Sequence, residues 1–141
     1  MYDFNVRTKY LFQEQDFIGH SGDKLHWKIE CNAIQDVEWN CIAKMIMEIE
    51  TRPFCAAIGI PQGGLKLSQH LNQYSTQNDS DPYLICDDVL TTGESMDYFV
   101  DQYFRNRELS RYFGWVVFAR SQPKSWITSL FQMPRKPNEK H

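Results

Sequence analysis

Tyr83-Leu84-Ile85-Cys86-Asp87-Asp88-Val89-Leu90-Thr91-Thr92-Gly93-Glu94-Ser95 is the stretch that decides the architecture of this chain. Its opening residues form a short apolar run without helical spacing, the pattern of a strand buried in a parallel sheet. Two adjacent carboxylates follow at the expected C-terminal end of that strand, where open α/β sheets hold their ligands. Hydroxyl residues then surround Gly93, and Met96-Asp97-Tyr98-Phe99-Val100 reads as a helix. A turn that opens a helix offers N–H groups without intrahelical acceptors and the positive end of a dipole, which suits phosphate. Gly93 lets the backbone approach such an anion closely.

Carboxylates repel phosphate, so Asp87 and Asp88 must face another part of any ligand. An ionised carboxylate only accepts hydrogen bonds, which matches the vicinal hydroxyls of a ribose. Sugar hydroxyls on the acids and a 5′-phosphate on the turn define a ribose 5-phosphate site. Read alone, the stretch is also what any strand ending in a polar turn presents.

The stretch closely resembles the phosphoribosyl pyrophosphate (PRPP) signature of the type I phosphoribosyltransferases: apolar strand, Asp-Asp, two apolar residues, Thr-Thr-Gly, any residue, then Ser or Thr. Every fixed position is filled. The resemblance implies an α/β fold, with a type I phosphoribosyltransferase-like core of parallel strands, helices on both faces and a small N-terminal antiparallel hood. It implies one domain over residues 1–141, with the hood hairpin at 17–31 and the PRPP-binding core at 54–119. By the same resemblance Asp87 and Asp88 are catalytic and hold Mg²⁺ through water. Thr91, Thr92, Gly93, Glu94 and Ser95 take the 5′-phosphate.

Upstream, Phe54-Cys55-Ala56-Ala57-Ile58-Gly59-Ile60 reads as the first core strand and leads into Pro61-Gln62-Gly63-Gly64, then the helix of Leu65, Leu67 and Leu71. Alone, the glycine pair marks a turn and no more. One strand–helix unit before the signature, it resembles the family's pyrophosphate loop, carried here by Ile60, Pro61, Gln62 and Gly63. In many relatives the position of Gln62 is basic; Gln donates a hydrogen bond but brings no charge.

Further upstream, residues 17–24 read as a strand entering a glycine-bearing turn. Leu25, Trp27 and Ile29 then alternate with His26, Lys28 and Glu30, the period of a half-buried strand. This antiparallel unit resembles the hood of orotate phosphoribosyltransferases. That likeness makes His20, Ser21, Trp27 and Lys28 base-side candidates, although Trp27 equally suits the core and His20 the turn. Asp36 reads as the N-cap of a scaffold helix ending near Glu50, with Val37, Ile42, Ile46 and Ile49 on its inner face.

Between helix 64–74 and the signature strand lie only Ser75-Thr76-Gln77-Asn78-Asp79-Ser80-Asp81-Pro82. Many type I phosphoribosyltransferases carry an extra strand and a long mobile flap in this interval, and eight polar residues cannot hold both. Beyond the signature, Met96, Phe99, Val100 and Tyr103 share a helical face. Trp115-Val116-Val117-Phe118-Ala119 reads as a third strand, with Arg120 at its C-terminal end as a phosphate or base contact. Residues 126–131 form a final strand or turn, whose aromatics either stack on a base or plug the core.

The 141 residues suffice for one modest core, and 42% hydrophobic content is ordinary for a globular chain. A net charge of −3 without a basic stripe argues against nucleic acid as a partner. No apolar run reaches membrane-spanning length, and the N-terminal residues lack a signal peptide's apolar core, so the expectation is a cytoplasmic protein without membrane contact. Cys31, Cys41, Cys55 and Cys86 lack paired metal spacing and read as buried thiols in a reducing compartment.

Thr91 stands where purine-salvage relatives place an Asp that carries a proton for the base, which brings the chain nearer the orotate type. The implied activity is transfer of ribose 5-phosphate from PRPP to a nucleobase or similar nitrogen heterocycle with release of pyrophosphate, by a homodimer. The alternative is a PRPP- or nucleotide-binding regulatory protein of the same fold. A dinucleotide oxidoreductase lacks its Gly-x-Gly-x-x-Gly fingerprint.

Overall fold

The computed structural model describes residues 10–18, 24–105 and 111–134. Strands β1 (Phe12–Ile18) and β2 (Lys24–Ile29) pair antiparallel, and their register shifts between Glu14 and Phe17. Such an irregularity strengthens the local twist of a two-stranded ribbon. The expected hairpin is therefore present, but its first strand begins at Phe12. A 3-10 turn (Cys31–Ala33) then leads into helix α1 (Asp36–Ile49).

The start and inner face of α1 differ from the sequence reading. Asp36 is the first helical residue, and its carboxylate accepts from Lys66 Nζ at 2.8 Å. The cap comes from Gln35, whose N–H donates to Glu38 at 3.0 Å. Trp39, Ala43 and Ile46 are the buried stripe, whereas Val37 and Ile49 are 66% and 58% exposed. Ala43, small and fully buried, sits at the centre of this stripe, a position that hydropathy alone underweights. Cys41, expected to be buried, lies on the exposed side.

The main sheet runs β3 (Ala57–Gly59), β4 (Tyr83–Leu90), β5 (Tyr112–Ala119), β6 (Ile127–Gln132), in that order and all parallel. Residues 126–131 thus contribute a strand. The expected strand over 54–60 is confined to Ala57–Gly59 because the residues before it bond elsewhere: Phe54 O and Cys55 O accept from the N–H groups of Thr76 and Gln77. Helix α2 (Leu65–Leu71) with its 3-10 extension (Asn72–Tyr74) joins β3 to β4, and α3 (Glu94–Phe104) joins β4 to β5.

Strand alternation sorts the core into two layers. Leu84, Cys86, Phe113, Trp115 and Val117 face α1 and α2, meeting Trp39, Ala43, Ile46, Leu67 and Leu71. Ile85, Val116 and Ala119 face Met96 and Val100 of α3. Fully buried side chains such as Leu67, Leu71 and Ile85 each contribute roughly 1.5–3 kcal/mol.

Strand order advances in one direction while α2 and α3 lie on opposite faces, so the two crossovers have opposite hands. Right-handed crossovers are strongly preferred, which makes this an unusual connection. The outer edge of β3 is closed by a side chain: Asn72 Oδ1 accepts from Ala57 N–H at 2.8 Å, and its Nδ2 donates to Ala57 O at 2.9 Å.

One buried charge locks the α1 face. Glu50 accepts from Arg52 N, Nε and Nη2 at 2.8–2.9 Å and from the Trp115 indole N–H at 2.9 Å. The Arg52 hydrogen bonds hold the Glu50 carboxyl down at about 2 despite its burial.

Candidate functional site

Three segments converge at the C-terminal edge of the sheet: the turn from β3 to α2, the turn from β4 to α3, and strand β2. They enclose a cavity of about 500 Å³ lined by Lys28, Ile29, residues 60–63, residues 87–96 and Arg120. Ile60, Pro61, Gln62, Gly63, Asp87, Asp88, Thr91, Thr92, Gly93, Glu94, Ser95, Lys28 and Arg120 are therefore brought together. His20 and Ser21 lie outside the described residues. Trp27 supports the cavity without lining it: Arg120 Cζ sits 4.1 Å from its ring centroid, and Arg120 Nη1 donates to Trp27 O at 3.0 Å.

The second turn presents backbone donors to the cavity. Gly93 adopts φ +88°, a left-handed conformation that side chains resist, and so reverses the chain directly into α3. Glu94, Ser95 and Met96 occupy the first helical positions, whose N–H groups have no intrahelical acceptor. The Glu94 N–H is taken by Thr92 Oγ1 at 3.3 Å. Those of Ser95 and Met96 are left pointing along the positive end of the dipole.

The carboxylates lie inside β4, which continues past them to Leu90. Asp87 is buried, and its Oδ1 accepts from the Asp88 N–H at 2.8 Å; Asp88 Oδ1 accepts from the Val89 N–H at 2.7 Å. Burial, then the charge of Asp88, pushes the Asp87 carboxyl well above the ordinary carboxylate range. Among the described residues no Lys or Arg pairs with either acid. Cys31 lines the recess beside Asp88, and burial followed by the Asp88 charge drives its thiol upward. Cys31 was not legible as a site residue, because nothing local in the sequence ties it to an acid far along the chain.

The first turn is tight and carries no cationic side chain. Its peptide between Pro61 and Gln62 is cis. Ile60 N–H donates to Cys86 O at 2.9 Å and Gly64 N–H to Ile60 O at 2.8 Å. Among the described residues the Gln62 and Gly63 N–H groups meet no protein acceptor. Gly63 is required by its neighbour: a Cβ there would stand 2.5 Å from both oxygens of Asp88.

Similarity to solved structures follows the same outline. The chain superposes on orotate phosphoribosyltransferase from Aeropyrum pernix with a TM-score of 0.70 and 17% identity, covering 86% of this chain and 88% of that one. The fold is that of the type I phosphoribosyltransferases. Orotate phosphoribosyltransferase from Mycobacterium tuberculosis gives a TM-score of 0.65 at 10% identity, with 86% and 89% covered. UMP synthase of Leishmania donovani gives 0.72 at 14%, covering 87% of this chain and 34% of that longer one. No family model matches the chain, and no curated protein matches it in sequence. The type I phosphoribosyltransferase fold thus stands on parallel core, hood hairpin and crossovers, at identities that speak for architecture alone. Among the described residues no helix is long and apolar enough to cross a membrane.

Two adjacent carboxylates without a cationic partner supply hard oxygen ligands of the kind Mg²⁺ takes. Among the described residues no group of three His, Cys, Asp or Glu side chains forms a cage. The site therefore fits an ion that takes most of its oxygens from a phosphorylated ligand and water.

Proposed function

We propose that the protein is a phosphoribosyltransferase, moving ribose 5-phosphate from PRPP to a nitrogen heterocycle with release of pyrophosphate. The observation that carries this reading is the meeting, in one cavity, of a vicinal carboxylate pair with a hydroxyl-rich turn that leaves the Ser95 and Met96 N–H groups without intrahelical acceptors. In this reading residues 91–95 anchor the 5′-phosphate through the N–H groups of Ser95 and Met96 and the hydroxyls of Thr91 and Ser95. Asp88, with Asp87 behind it, accepts from the ribose hydroxyls. The Gln62 and Gly63 N–H groups meet the diphosphate. Arg120, propped on Trp27, faces the incoming heterocycle.

The C1–O bond breaks with its electron pair leaving on pyrophosphate, while the ring nitrogen's lone pair forms the C1–N bond. The residues contribute positioning of both partners and donors aimed at the leaving oxygens. Mg²⁺, held beside Asp87 and Asp88, would supply neutralisation of the diphosphate charge.

A second reading is favoured by one observation. Residues 75–82, which stand where relatives carry a flap, lie at the N-terminal edge of the sheet, stapled to the residues before β3, and cannot reach the cavity. Without a lid from residues 75–82, water competes for the reacting sugar. This reading is a PRPP- or nucleotide-binding regulator of the same fold. Calorimetry with ribose 5-phosphate and with PRPP plus Mg²⁺ tests the site; pyrophosphate release across a panel of pyrimidines and purines tests turnover. Binding with turnover on one base is the expected result. Binding without turnover on any base selects the regulator, and no heat with either sugar phosphate sinks both.

A further inference from the structure

A ligand carrying a 5′-phosphate and a diphosphate brings several negative charges into a cavity whose own floor is acidic. Among its described lining residues only Lys28 and Arg120 are cationic. Arg120 is committed to Trp27, through both its ring and its carbonyl oxygen. The first turn offers backbone donors and no charge. Of the two lining cations, Lys28 is the one not held by Trp27.

Lys28 and Trp27 are neighbours on β2, so their side chains leave opposite faces of the ribbon. Trp27 goes to Arg120; Lys28 goes the other way. Its ammonium lies 3.3 Å from Glu30 Oε2. Glu30 lines an adjoining recess of about 500 Å³ together with Gln62, Gly63 and Asp88, three residues that the main cavity shares. The Lys28–Glu30 pair thus spans the seam beside the first turn. Glu30 is fixed there, since its Oε1 accepts from the Asn32 N–H at 3.2 Å. The Lys28 side chain is 32% exposed, enough to leave one acceptor for another without unfolding β2.

We infer that Lys28, rather than any residue of the first turn, is the cation that holds the diphosphate, exchanging its Glu30 partner for the ligand's oxygens. This moves Lys28 from the base side of the site to the leaving-group side. It rests on the PRPP reading above. Glu30 is then a competitor that keeps the ammonium beside the turn while the site is empty and yields it to a more highly charged acceptor.

The test is binding by calorimetry, with wild type, Lys28→Gln and Glu30→Gln, of inorganic pyrophosphate plus Mg²⁺ and of ribose 5-phosphate. Lys28→Gln is expected to weaken pyrophosphate about tenfold to a hundredfold, the range of a lost charge-assisted hydrogen bond, and to leave ribose 5-phosphate within twofold. Glu30→Gln is expected to tighten pyrophosphate, because the competitor is gone. Ribose 5-phosphate bound normally with unchanged pyrophosphate affinity in Lys28→Gln overturns this inference alone. An equal loss for both ligands also overturns it, as general damage to the hood. Failure of wild type to bind ribose 5-phosphate overturns the PRPP reading and this inference with it.

Discussion

The two βα turns at the rim are built from similar material and end up with different capacities. The turn after β4 has a left-handed glycine, three hydroxyl side chains and a helix of three turns behind it. The turn after β3 is longer, carries Gln62 where charge would help, and opens a helix of only seven residues. The turn after β4 leaves the Ser95 and Met96 N–H groups without intrahelical acceptors, while the turn after β3 offers those of Gln62 and Gly63 and packs against Asp88. Under the proposed function a phosphate seat is encoded locally, whereas a diphosphate seat draws on Lys28 from far upstream.

The sharpest way to break this contrast is Gly63→Ala. The added methyl would meet both Asp88 oxygens at 2.5 Å, so the carboxylate must move. We expect PRPP binding to disappear in calorimetry while the thermal midpoint falls by only a few degrees. A variant that binds PRPP normally would mean that the first turn and the acid are not coupled.

A second experiment separates the turns from the sheet that carries them. Glu50 is held at about 2, against an ordinary 4.5, by Arg52 and Trp115. A depressed carboxylate stabilises the fold fully above its unfolded value and loses that contribution as pH falls toward its folded value. Stability should therefore decline by up to about 3 kcal/mol between about pH 4.5 and pH 2 from this group. Glu50→Gln should be less stable at pH 7 and show a flatter acid limb in urea titrations. An unchanged acid limb would remove Glu50 from the account.

The smallest expected effect belongs to the self-sufficient turn. Gly93→Ala must accept φ near +88°, at a cost of roughly 1–2 kcal/mol. That corresponds to a fall in Tm of about 3–8 °C. Ribose 5-phosphate should still bind, since no donor is removed. A loss of binding without a loss of Tm would show that the turn's conformation, not its groups, makes the seat.

Much of this was legible because it is local. The run from Tyr83 to Ser95 fixes a strand, an acid pair and a hydroxyl-rich turn by residue order alone, and the glycine pair after Ile60 marks a second turn. The alternation of Leu25, Trp27 and Ile29 announces the hood. The inner face of α1 departs from the hydropathy pattern, with small Ala43 buried and Val37 and Ile49 exposed. The exposure of Cys41 follows from that same rotation of the helix.

The missing flap shows a further division. The brevity of residues 75–82 is plain in the chain, but its consequence is not. Among the described residues β3 is the outermost strand, so α2 leads directly into its neighbour β4, and Asn72 fills the outer edge of β3.

The sequence by itself determined the order of elements, the acid pair and the hydroxyl-rich turn, because those depend on neighbours within a few residues. Only the tertiary structure decided which cations face the site, that Cys31 lines the recess beside Asp88, and that Lys28 pairs with Glu30 while Trp27 meets Arg120. Those facts depend on how a ribbon far upstream is laid across the rim, and a side chain's partner there is set by packing rather than by its place in the chain.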